Sequence, residues 1–194
     1  MPSWIFRPWG KLSHAAAVLL LAAGASVIVT PVGATEPDPL AGAERAYDAG
    51  RYDQVAALTR GDHDPAALAL NARALLTKAM LMDRSGPEVG ALAGAAQALA
   101  DTARRGDPDL VEPYLEGAIA RGLLADRLPL QPAIRNVREA RRLIDTALRL
   151  APDDPRALST DGGWHLMLTG RLGTIAANLL FSASRAHGLE AFQR

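Results

Sequence analysis

The sequence predicts an all-α protein, and two observations support this class. Alanine and leucine together make up about a third of the 194 residues, while aromatic residues account for 5%, so helix formers outnumber strand formers. Because aspartate caps a helix N-terminus and proline has no amide hydrogen to lose there, each Asp-Pro dipeptide predicts a helix start. The dipeptide precedes four alanine- and leucine-rich stretches, at Asp38-Pro39, Asp64-Pro65, Asp107-Pro108 and Asp154-Pro155.

The first 34 residues have the pattern of a secretory signal. Arg7 and Lys11 precede an uncharged apolar run over residues 15–29, and Ala34 offers a small residue for cleavage. This run is shorter than the ~20 residues that cross a bilayer. We therefore predict a signal peptide over 1–34, a mature domain over 35–194 and a location in the periplasm or outside the cell. The alternative is an uncleaved segment that anchors the chain in the inner membrane, because residues 12–14 also carry no charge.

Each unit contains a second break, which predicts a pair of helices per unit. The breaks are glycine or proline sites at Gly50, residues 85–87, residues 128–132 and Gly170. In the sixth helix, apolar residues recur at steps of three and four from Ile134 to Leu148, so one face is buried. The predicted helices span residues 37–49, 52–60, 65–83, 87–105, 108–127, 132–150, 155–169 and 172–192.

The other face of the sixth helix carries a stripe of arginines. Two interpretations remain open. The stripe could grip an anionic partner, or it could be a solvated face on which oppositely charged residues four apart form pairs, such as Arg135 with Glu139. The stripe consists of Arg135, Arg138, Arg142 and Arg149.

Two stretches resemble the tetratricopeptide repeat (TPR). Residues 43–53 resemble the turn between the two helices of a repeat, and residues 140–158 resemble its second helix and the junction to the next repeat. The resemblance implies about four antiparallel helix pairs, stacked as a short right-handed α-solenoid. The matching structural positions are Tyr47, Gly50, Tyr52, Ala140, Ala147, Pro152 and Gly162.

The chain also departs from the repeat pattern. Its Asp-Pro starts are unevenly spaced, against a steady ~34 residues in the family. Asp161 stands where the family usually has an apolar residue. A broader resemblance is to TPR-like periplasmic proteins, including the T component associated with some TRAP transporters. It implies one alternative function, that of an accessory subunit of an envelope transporter.

Composition excludes several kinds of chemistry. The chain has no cysteine, so disulfides and thiolate sites are excluded, and its net charge of zero does not predict nucleic-acid binding. The histidines lack the spacing of zinc motifs, so we predict neither a metal nor another cofactor. Asp161 and His165 lie four apart on a predicted helix and can meet. A small hydrolase or metal-dependent enzyme centred on them is therefore the competing function; an absence of other acids or histidines near His165 would argue against it.

The leading prediction is an exported TPR-like scaffold that binds a protein, peptide or small ligand in the cell envelope without catalysis. If the first helix of each pair lines the binding surface, as the resemblance implies, the contact residues are Glu44, Asp48, Arg73 and Thr77. The last predicted helix has an apolar face that would pair with a second copy, with another subunit or with further chain. The alternative is that this helix folds back fully onto the preceding pair.

Overall fold

A computed structural model describes residues 38–83 and 86–194, so the predicted signal peptide lies outside the described residues. All regular secondary structure within them is α-helical, which confirms the predicted class. Among these helices, none is both long and apolar enough to cross a bilayer. The helices are α1 (Pro39–Asp48), α2 (Tyr52–Leu58), α3 (Pro65–Leu81), α4 (Pro87–Gly106), α5 (Glu112–Ala125), α6 (Leu130–Leu150), α7 (Pro155–Leu172), α8 (Thr174–Phe181) and α9 (Arg185–Ala191).

Three of the four Asp-Pro dipeptides begin helices as predicted. The carboxylates of Asp38, Asp64 and Asp154 accept hydrogen bonds from backbone N–H groups in the first turns of α1, α3 and α7. Asp107 differs, because its carboxylate accepts the N–H of Asp109 within a local turn. Helix α5 begins only at Glu112, so the predicted start at 108 was wrong: aspartate also closes turns of this kind.

The turn between α1 and α2 explains the aromatic and glycine pattern of residues 47–52. Gly50 has a φ of +72°, a conformation that favours glycine. Its N–H donates to the carbonyl of Tyr47 at 2.8 Å, and the N–H of Arg51 donates to the carbonyl of Ala46 at the same distance. The Tyr47 and Tyr52 rings then meet edge to face, with their centroids 5.5 Å apart.

Small residues form much of the core. Consecutive helices pack against one another from α1 to α8, and α1 also contacts α3, α3 contacts α5, and α5 contacts α7. On α6, Ala140 and Ala147 are buried, whereas Pro152 is exposed just beyond the helix end. A Cβ atom at Gly117 of α5 would lie 3.2 Å from a methyl carbon of Leu143. These contacts require small side chains, because larger ones would separate the helices.

The predicted last helix is two helices. Ser182 adopts a left-handed conformation with a φ of 56° and ends α8, and Ser184 caps α9 by accepting the N–H of His187. A single helix over 172–192 was therefore wrong. The pairing of its apolar face with a second copy, another subunit or further chain stays a prediction. Ile175 and Leu179 are each 79% exposed. The buried side chains of this region are instead alanines, namely Ala177, Ala183 and Ala191.

Helices α7 and α9 approach each other at two glycines. A Cβ atom at Gly162 would lie 2.7 Å from a ring carbon of Phe192 and 2.8 Å from the carbonyl oxygen of Gly188. One at Gly188 would lie 3.0 Å from the Cβ of His165. Since neither position accommodates a side chain without displacement, the two glycines permit the contact that brings His187 to α7.

Candidate functional site

The four predicted contact residues lie on two neighbouring helices, α1 and α3. Glu44 and Asp48 are exposed on α1 and make no hydrogen bond or ion pair within residues 38–83 and 86–194. Arg73 and Thr77 instead interact with Tyr47: the Thr77 and Tyr47 hydroxyls are 3.0 Å apart, and the Arg73 guanidinium lies 5.8 Å from the Tyr47 ring centroid. The structure thus brings Arg73 and Thr77 to Tyr47 and leaves Glu44 and Asp48 exposed. The contact role of all four residues stays a prediction.

Arg73 also belongs to a buried ion-pair network that the sequence analysis missed. Glu116 of α5 is 1% exposed. Its Oε1 accepts hydrogen bonds from Arg73 of α3 at 3.1 Å and from Arg156 of α7 at 2.5 Å. One carboxylate therefore joins three helices that are first in their predicted pairs. A lone acid within the apolar stretch over residues 113–120 is the sequence signal that points to it.

A second buried carboxylate, Asp161 of α7, lies at the centre of a cluster formed by Arg141, Asp161, His165 and His187. Arg141 of α6 donates to Asp161 Oδ1 at 2.5 Å. His187 Nε2 of α9 lies 3.0 Å from Oδ2, and His165 Nε2 lies 3.6 Å from Oδ1. The cluster that the competing function requires around His165 is therefore present. Asp161, which stands where the TPR resemblance predicts an apolar residue, pairs with these groups.

The hydrogen bonds of His165 define its tautomer. The backbone N–H of Ser184 donates to Nδ1 at 3.1 Å, whereas Nε2 faces Arg141 Nη1 at 3.5 Å and the Asp161 carboxylate. A neutral imidazole has one N–H and one acceptor nitrogen. The shorter contact with a fixed backbone donor makes Nδ1 the acceptor, so Nε2 carries the proton.

Electrostatics of the cluster favour a neutral His165 beside a charged Arg141. Burial lowers the pKa of His165 below its ordinary value, although the nearby Asp161 acts in the opposite direction. Burial also opposes the charge of Arg141, but its hydrogen bonds with Asp145 and Asp161 raise the pKa of Arg141 above the ordinary value. The permanent positive charge facing Asp161 is therefore the guanidinium.

The donor atoms of the cluster do not suit a divalent metal as they are arranged. The ligand atoms of Asp161, His165 and His187 lie within 4.8 Å of one another, close enough to share an ion. A metal on His165 Nε2 would move the ring proton to Nδ1, where the Ser184 N–H already points. The ion would also face the Arg141 guanidinium on the same carboxylate. Both contacts oppose a cation here.

Hydrolysis by a serine nucleophile would require a hydroxyl–histidine contact that the described residues do not make. A cavity of about 490 Å³ beside the cluster is lined by His187, Ser182 and Ser184, and the His187 side chain is 56% exposed. A nucleophile needs its hydroxyl within hydrogen-bond reach of a base. Within the described part of the chain, no serine hydroxyl bonds to a ring nitrogen of His165 or His187. Asp161 and His187 therefore form an acid–histidine pair without a bonded nucleophile.

An apolar groove opens between α5, α6 and α7. Its volume is about 380 Å³. Trp164 lines both this groove and the cavity beside the Asp161 cluster, and its indole N–H donates to the carbonyl of Val137 at 3.4 Å. The side chains that give the groove its apolar character include Ile119, Leu123, Val137, Ile144, Trp164 and Met167.

Comparison with known proteins does not assign a function. No protein-family model matches this chain, and no curated protein matches it significantly.

Proposed function

We propose that the chain is a non-catalytic, TPR-like scaffold of the cell envelope that binds an apolar side chain of a protein or peptide partner. The apolar groove between α5, α6 and α7 carries the proposal, since a concave apolar surface of about 380 Å³ matches the scale of a small binding pocket. The signal-like pattern of residues 1–34 supports the location.

The polar groups of the groove support an apolar occupant. Ser159 and Thr160 donate their hydroxyl hydrogens to the carbonyl of Arg156, at 3.0 Å and 2.7 Å. Asp126 forms an ion pair with Arg171. Because these three groups already have partners, a ligand gains little from hydrogen bonds there, and its affinity would come from buried apolar area.

Helix contacts support the repeat architecture within this proposal. First helices of successive pairs touch in the order α1, α3, α5 and α7, as they would in a row of stacked pairs. The Arg73–Glu116–Arg156 network joins three of them. An array of this kind presents neighbouring first helices as one continuous surface for a partner.

Filling the groove tests the proposal. A Cβ atom at Gly122, which lines the groove, would meet no other atom within 4 Å, so Gly122→Leu places a side chain in open space. We expect this variant to bind the neutral dye Nile red about tenfold more weakly, as measured by the rise in dye fluorescence. Every protein in this test also carries Trp4→Phe and Trp9→Phe. Trp164 is then the remaining tryptophan, and its fluorescence reports entry of the dye into the groove.

Gly94→Leu is the matched control. Gly94 is a helical glycine of α4, has no atom within 4 Å of its ideal Cβ position, and does not line the groove. Each substitution should stabilise its helix by up to about 1 kcal/mol, so a loss of binding confined to Gly122→Leu assigns the dye to the groove. Equal binding by the two variants, without a response of Trp164, would overturn the proposal.

A small hydrolase is the second candidate, supported by the Asp161–His187 pair beside the serine-lined cavity. This function would require Ser182 or Ser184 to act as nucleophile with His187 as base. A fluorophosphonate probe for activated serines separates the candidates. The scaffold proposal expects no labelling. Labelling that is lost in His187→Gln, and also in either Ser182→Ala or Ser184→Ala, would replace it with the hydrolase.

A further inference from the structure

The arginine stripe of α6 is only partly neutralised by the ion pairs that residue spacing suggested. Glu139 pairs with Arg142 at 2.9 Å and not with Arg135, and Asp145 pairs with Arg141 at 2.6 Å. Within residues 38–83 and 86–194, Arg135 and Arg138 have no carboxylate partner. The solvated face of paired charges therefore describes only part of this helix.

A further arginine reaches the stripe from α5. Arg121 Nη1 donates to the side-chain oxygen of Asn136 on α6 at a long 3.4 Å. Its Nε is buried and has no hydrogen-bond partner. The single long bond to Asn136 therefore leaves Arg121 with donor capacity that no neighbouring group uses.

These side chains enclose a concave site. The cavity, which we call the arginine pocket, has a volume of about 510 Å³. It is lined by Arg121, Arg135, Asn136, Arg138, Glu139 and Arg142. The four guanidinium groups outnumber the single carboxylate, so the pocket has an excess of positive charge. A cleft lined by one sign of charge concentrates ions of the opposite sign.

We propose that the arginine pocket binds a phosphate group, carried either by a soluble phosphate compound or by an anionic lipid headgroup. Guanidinium groups match phosphate because two parallel N–H donors face two oxygens. A phosphate also offers enough acceptor oxygens and negative charge for several arginines, which a single carboxylate does not. The proposal is independent of the apolar groove, because the two sites share no lining residue.

Calorimetric titration of the full chain with pyrophosphate, at constant ionic strength, tests this site. We expect saturable binding that weakens about tenfold in Arg121→Gln and in Arg138→Gln, each of which removes one charge-assisted contact. Arg149→Gln is the matched control, because Arg149 is exposed on the same helix but does not line the pocket; it should weaken binding less than about twofold. Circular dichroism of every variant checks folding. Arg138 is exposed, so its substitution tests the site even if Arg121→Gln fails to fold.

Vesicles distinguish the two sources of phosphate. The chain is mixed with vesicles of phosphatidylcholine alone or with added phosphatidylglycerol, and sedimentation measures the bound fraction. Binding of pyrophosphate alone indicates a soluble ligand, whereas binding of phosphatidylglycerol vesicles that depends on Arg121 and Arg138 indicates a lipid headgroup. Binding of neither probe overturns the proposal. The proposal is also overturned if Arg149→Gln weakens binding as much as Arg121→Gln and Arg138→Gln do. That result would show that the ligand is attracted to the whole charged face of α6.

Discussion

Two buried carboxylates, Glu116 and Asp161, differ in the partners that compensate their charge. Glu116 lies between Arg73 and Arg156, which remain charged at any pH relevant to folding. Asp161 lies between one arginine and two histidines, His165 and His187. The first network joins successive first helices through arginine partners alone. The second joins α6, α7 and α9 through Arg141 and two imidazoles, and burial lowers the pKa of one of these, His165.

The Glu116 network connects helices of the fold, whereas the Asp161 cluster is a candidate pH switch. Both carboxylates are almost fully buried, so burial alone does not show which network responds to pH. The response depends on whether a neighbour can change charge. The C-terminal part of the chain, where α9 packs on α7, therefore contains a histidine contact, at His165, that can respond to pH.

The largest effect is expected at Glu116. Glu116→Gln keeps the shape of the side chain but leaves two arginines without their buried anion. We expect a loss of about 3 kcal/mol in unfolding free energy, at the low end for a broken buried pair because both arginines are partly exposed. Urea denaturation measures it, with Glu44→Gln as the exposed control. A loss equal to that of the control would show that the network does not stabilise the array.

Gly162→Leu should have the next largest effect. Even its Cβ atom would approach Phe192 and the backbone of Gly188 too closely. We expect a destabilisation of about 1 to 3 kcal/mol by overpacking, measured by thermal unfolding. Gly170→Leu, on the same helix and with no atom within 4 Å of the new Cβ, should not lower the melting temperature. An unchanged melting temperature for Gly162→Leu would mean that α9 does not pack on α7 as the structure shows.

Local patterns predicted most of the helices, because caps and breaks act over a few residues. Asp38, Asp64 and Asp154 begin helices where the sequence places them. The predicted helix boundaries were wrong where one local sequence pattern is compatible with two structures. Asp107 closes a turn, and the break at Ser182 depends on a left-handed serine for which the apolar pattern offered no sign.

The candidate site was only half predicted from the sequence. Asp161 and His165 are one helical turn apart, so spacing alone brought them together. His187 and Arg141 reach them from other helices, and no residue spacing reports contacts between α6, α7 and α9. The approach of His187 depends on Gly162 and Gly188, which lie 26 positions apart in the chain. Such a contact follows from tertiary packing.

Acid should weaken the His165 contact selectively. Because burial lowers the pKa of folded His165, the folded state binds a proton more weakly than the unfolded chain does. The resulting stability is present above about pH 6.5, the unfolded value, and is lost as pH falls through the lower folded-state pKa. A protonated Nδ1 would also face the Ser184 N–H, donor against donor.

His165→Asn removes the titration while its amide oxygen can still accept the Ser184 N–H. We expect urea midpoints of the original chain to fall more steeply below about pH 6.5 than those of this variant. His63→Asn, at an exposed loop histidine, should leave the original slope unchanged. If His165→Asn and the original chain showed the same slope, the titrating contact would lie elsewhere.

The smallest effect is expected at an ion pair that is short but exposed. Lys78 Nζ lies 2.6 Å from Asp53 Oδ1, about as close as the buried pairs, yet the Asp53 side chain is 85% exposed. Water screens the attraction, and ordering the lysine costs conformational entropy, so the coupling should be below about 0.5 kcal/mol. A double-mutant cycle of Asp53→Asn and Lys78→Gln in urea measures this coupling separately from each single effect. A coupling as large as the loss at Glu116 would show that distance, and not burial, sets the strength of ion pairs in this fold.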